Sequence, residues 1–79
     1  MINEKIVIKK LQEKIININN FFDYLKIQLE KEESKENPNE KFILNTKQMM
    51  VRSDIEINIY KNLIKKIKKG EFMKNIWLN

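Results

Sequence analysis

The chain has 79 residues, with 16 Lys and Arg against 11 Asp and Glu, a net charge of +5, and neither His nor Cys. That size allows a single domain with a small core. The inventory removes the commonest general base, the thiol nucleophile and the usual metal ligands, so no catalysis, metal or cofactor is expected.

No apolar run reaches the roughly 18 residues that read as a membrane span. The first ten residues lack the apolar stretch of a signal peptide. Together with the absence of Cys, this leads to the expectation of a cytoplasmic protein without membrane contact. Lys, Asn and Ile supply 40 of the 79 residues and Ala none, the bias of an AT-rich genome. Many lysines are therefore read first as solvated helix surface.

Residues 3–34 predict a first helix, with Asn3 as a candidate N-cap. Its apolar positions Ile8, Leu11, Ile15, Ile18, Phe22, Leu25 and Leu29 alternate in steps of three and four, an unbroken heptad seam. Asn17, Asn19 and Asn20 are weak helix formers, and Asn20 with Asp23 could start a new helix. The heptad phase is the same on both sides, which favours a continuous one.

Residues 34–37, polar and close to mid-chain, form the expected connector. A second helix is expected over 38–69. Asn37 is the expected N-cap, Pro38 the first helical residue and Glu40 the third, as in a capping box. Gly70, the only glycine, is the expected stop, behind the cations Lys65, Lys66, Lys68 and Lys69. In this helix Phe42, Met49, Tyr60, Leu63, Ile64 and Ile67 cluster on one side, interrupted by Thr46, Ser53 and Glu56. Leu44, Val51 and Ile55 fall on the opposite side, flanked by Ile59. Ile6, Ile16, Tyr24 and Ile27 likewise sit off the seam of the first helix.

These features predict an all-α fold, a coiled-coil-like antiparallel two-helix hairpin. Two helices facing only each other bury one stripe apiece, so apolar side chains are left over. A second copy would cover the surplus by making a four-helix bundle, and a different protein would cover it by docking on Leu44, Val51 and Ile55. Residues 70–79 form an apolar tail. Its Phe72 and Trp77 are candidate anchors for a partner, or cap the open end of the hairpin.

Charge is polarised along this hairpin. Residues 1–15 and 60–79 sum to +7, and residues 16–59 to −2. In an antiparallel pair the two basic stretches lie side by side. Lys9, Lys10, Lys65, Lys66, Lys68 and Lys69 are candidate contacts to phosphates or to an acidic protein surface. No nucleic-acid-binding motif accompanies them.

The stretch from Tyr60 through Leu63, Ile64 and Ile67 to Lys69, Gly70, Glu71 and Phe72 resembles the close of small uncharacterised helical-hairpin proteins of low-GC Gram-positive bacteria and their phages. The resemblance covers about 13 residues, largely a helix C-terminus with a glycine stop. It implies a mobile-element origin, in which small proteins often bind and disable a larger one such as a host defence nuclease. The reading is therefore a non-enzymatic protein-binding module, a homodimer and phage-type inhibitor of a host defence or regulatory protein. The alternative is a basic nucleic-acid-binding accessory protein.

Overall fold

The computed structural model describes residues 3–70. They form two antiparallel helices, α1 (Glu4–Glu33) and α2 (Glu40–Lys69), packed along their length. No strand occurs among the described residues.

Helix α1 begins where Asn3, in an extended conformation, accepts through its side-chain oxygen from the N–H groups of Lys5 and Ile6 at 3.1 and 3.3 Å. It runs through Asn17, Asn19 and Asn20 without a break. The reason lies in packing: Ile15, Ile18 and Phe22 on either side are all partly buried against α2. The helix ends at Ser34, whose hydroxyl donates to the Lys31 carbonyl at 2.8 Å.

Helix α2 starts two residues later than the sequence signal suggests. Its N-cap is Asn39, not Asn37; the Asn39 side chain accepts from the Phe42 N–H at 3.1 Å. Pro38 therefore lies in the connector, which runs over 34–39, and Glu40 is the first helical residue. The cause is a contact from α1. The Glu32 carboxylate accepts the Asn39 backbone N–H at 3.1 Å, and its other oxygen accepts from Lys35 Nζ at 3.1 Å. This holds Asn39 in an extended conformation outside the helix. At the far end Gly70 takes the left-handed conformation at φ 75°, its N–H donating to the Ile67 carbonyl at 3.0 Å.

The α1 seam lies where its spacing puts it. Leu11, Leu25 and Leu29 are buried, and Ile8, Ile15, Ile18 and Phe22 are half-buried. The α2 seam differs from the expected cluster. Its inward positions are Ile43, Thr46, Met50, Ser53, Ile57, Tyr60, Ile64 and Ile67, again in steps of three and four. Thr46 and Ser53 do not interrupt the packed face; they belong to it, at 2% and 6% exposure. Each hydroxyl is satisfied within its own helix, Thr46 donating to the Phe42 carbonyl at 2.7 Å and Ser53 to the Met49 carbonyl at 2.9 Å. Phe42 and Met49, expected inside, sit at the flank with 40% and 39% exposure.

The core is uneven. One apolar cluster joins Leu11 to Ile64 and Ile67, with Val7, Ile8, Ile15, Tyr60 and Leu63 packed round them, near the ends of the described chain. Toward the connector the buried Leu25 and Leu29 share the seam with the polar Ser53, Thr46 and Glu32.

Candidate functional site

A two-helix hairpin is a slab one helix thick, with two broad faces and two narrow edges. If the seam positions are written a and d of a heptad, the g and c residues of both helices lie on one broad face and the e and b residues on the other. The coordinates bear this assignment out. Glu33 and Lys47, both at e, approach to 4.0 Å. Phe21, Met49 and Glu56, all at g, line one groove.

The two faces differ in chemistry. At its e positions the first carries Lys5, Lys26 and Glu33 from α1, and Lys47, Asp54, Lys61 and Lys68 from α2. The second carries at g the apolar residues Val7, Phe21, Phe42, Met49 and Leu63, interspersed with Lys14, Gln28 and Glu56.

Leu44, Val51 and Ile55 fall beside the charged row at exposures of 57%, 59% and 52%. Val51 and Ile55 rim a depression of about 380 Å³, with Phe22 and Met50 from the two seams at its base and Asp54 at its side. The Val51 and Ile55 end of the stripe therefore adjoins a seam residue of each helix. Phe72 and Trp77, the other two candidate anchors, lie outside the described residues.

The six candidate lysines are all exposed, but they do not gather into one patch. Lys9, Lys65 and Lys68 share the charged face with Lys5 and Lys61. Lys10 and Lys66 fall on the apolar face, and Lys69 on an edge. Among the described residues none of them lies within 4.0 Å of a carboxylate.

Sequence reasoning did not find the groove on the apolar face. It measures about 320 Å³, sits at mid-length, and is lined by Asn17, Ile18, Phe21, Met49, Arg52, Ser53 and Glu56. Ser53 is what opens it: a small side chain at a seam position leaves space that a leucine would fill. Beside it Phe21 and Tyr24 stack with ring centroids 6.5 Å apart, and both are exposed, at 46% and 56%. The signal that could have located it is the one Arg in the chain, Arg52, one helical turn before Glu56.

The Asn39 N–H, then the Lys35 ammonium, stabilise the charged form of Glu32 and hold its carboxyl below the usual glutamate range, against a smaller upward push from burial. This carboxylate fastens the connector rather than facing either apolar surface. Among the described residues no helix is long and apolar enough to cross a membrane, and no three acidic side chains gather where they could hold a metal. Comparison with protein families, with curated proteins and with solved structures gave no match.

Proposed function

We infer that the hairpin is a non-enzymatic protein-binding module, and that its partner docks along Leu44, Val51 and Ile55. The observation that carries this reading is the stripe itself. Three large aliphatic side chains, each more than half exposed, line up along α2, and two of them, Val51 and Ile55, border a depression shared with Phe22 and Met50. Covering each would be worth about 1 kcal/mol, roughly half the value of burying a whole aliphatic side chain. The residues span 11 positions, or about 17 Å at 1.5 Å per residue. That is the length over which an amphipathic helix sets three anchors into a groove. Charged neighbours such as Lys47 and Asp54 would give orientation at the rim.

Inhibition of a larger host protein by a phage or mobile-element product is the narrower form of this reading. A small rigid rod with a ready apolar stripe suits steric blocking of such a target. The test is affinity capture from the native host with two baits, the wild-type chain and Val51→Asp/Ile55→Asp. A protein held by the first and lost by the second, with helix content unchanged by circular dichroism, supports the reading. Equal capture by both overturns the site.

A second reading, polyanion binding, is favoured by Lys5, Lys9, Lys61, Lys65 and Lys68, which share one face and have no carboxylate within 4.0 Å among the described residues. An electrophoretic shift series in rising salt decides it. Binding of this kind weakens steeply with salt, and no shift at low salt removes the reading.

A further inference from the structure

We propose that the other broad face, the one bearing Phe21, Met49, Arg52 and Glu56, is a self-recognition surface on which a second copy of this chain lies antiparallel, about a two-fold axis at mid-length. This face is distinct from the Leu44, Val51 and Ile55 stripe, and the proposal does not depend on that stripe having a partner.

Three observations converge on it. The first is position. The midpoints of α1 and α2 fall at residues 18–19 and 54–55, and the groove lies over both, between Ile18, Phe21, Arg52 and Glu56. A two-fold axis lying in the contact plane, across the helices at mid-length, sets that groove over its counterpart in the second copy, so each presents its groove to the other.

The second is charge. Arg52 and Glu56 lie two positions either side of Asp54, and they do not pair with each other. The only ion pairs within 4.0 Å among the described residues are Lys35 with Glu32 and Lys47 with Glu33. In an antiparallel arrangement Arg52 of one copy meets Glu56 of the second, and the same contact repeats across the axis. An isologous interface requires this reciprocity.

The third is direction and area. Residues 3–15 and 60–70 carry nine Lys against Glu4 and Glu13, whereas residues 16–59 sum to −2. Parallel stacking would superimpose the two basic ends. Antiparallel stacking sets each against the less charged half of its neighbour. The face is about 45 Å long and about 20 Å wide, from 30-residue helices about 10 Å apart. That outline of about 900 Å² per copy is large enough to accommodate the roughly 800 Å² per partner that a stable interface buries.

The experiment is sedimentation equilibrium on the full chain and three variants, each with its helix content checked by circular dichroism. The wild type is expected to be a dimer. Arg52→Glu and Glu56→Arg should each weaken it at least tenfold, and Arg52→Glu/Glu56→Arg should return it to within threefold of wild type. Rescue requires residue 52 to face residue 56, which a parallel pair does not provide. A wild-type chain that stays monomeric at millimolar concentration overturns the proposal. So does a dimer insensitive to both single changes, or a helical double variant that does not recover. Leu44→Asp, on the stripe but remote from Arg52, should leave the dimer intact, so failure here is distinct from failure of the partner site.

Discussion

Replacing Ser53 by leucine tests whether the α2 seam truly passes through a polar residue. Ser53 is 6% exposed, and its hydroxyl donates only to the Met49 carbonyl of its own helix, at 2.9 Å. Removing that bond orphans nothing, because the carbonyl keeps its in-helix partner, the Ser53 N–H. The loss is about 1 kcal/mol at most. A leucine at this position buries an aliphatic side chain worth about 1.5–3 kcal/mol. The groove of about 320 Å³ beside it supplies room, so the usual overpacking cost is avoided. The net expectation is stabilisation by about 1 kcal/mol, which raises Tm by about 4–8 °C in a domain this small. Thermal and urea unfolding followed by circular dichroism measure it, at several protein concentrations so that self-association is separated from intrinsic stability. Ser53→Ala, which removes the hydroxyl and adds little, should stay within about 0.5 kcal/mol of wild type. If leucine lowers Tm while alanine does not, the helices are closed tightly round position 53 and the reasoning fails.

Asn39→Ala should destabilise the fold by about 1 kcal/mol through loss of the α2 cap, while Asn37→Ala should change it by less than about 0.5 kcal/mol; urea titrations of the two variants check this. The Glu32 carboxylate gives a pH signature. Its folded value lies below the ordinary one, so its contribution is complete above the unfolded glutamate value and disappears as pH falls through the lower folded value. Thermal melts from pH 7 to pH 2 should show this acid-side loss in the wild type and a smaller one in Glu32→Gln.

The first helix was legible in the sequence because every inward position carries a large apolar side chain. Ile8 through Leu29 announce the phase, and packing then overrides the weak propensity of Asn17, Asn19 and Asn20. The second was legible in kind and in its stop at Gly70, but not in its face. Thr46 and Ser53 are inward through geometry, set by where α1 lies, and a hydroxyl that bonds its own helix is tolerated there at low cost. Phe42 and Met49 are more apolar than either, so they drew the expected face about an eighth of a turn away from the true one, with Tyr60, Ile64 and Ile67 common to both. The N-cap was missed for a related reason. Both Asn37 and Asn39 can cap, and what selects between them is Glu32, seven residues before Asn39, reaching its N–H. Local sequence rules contain no term for that reach. The Leu44, Val51 and Ile55 stripe was fully legible, since exposure there follows directly from helical phase. The mid-length groove was not, because it is made by what Ser53 lacks.

The placement of the Leu11, Ile64 and Ile67 cluster has a temporal consequence. Hairpins are ordinarily quick to form because neighbouring segments meet first at the bend. Here one apolar cluster joins positions more than 50 apart along the chain, while Leu25, Leu29 and the bonds of Glu32 hold the half nearer the bend. Loop closure on that scale costs more entropy than joining at the bend, so this distant clasp should be the last to shut.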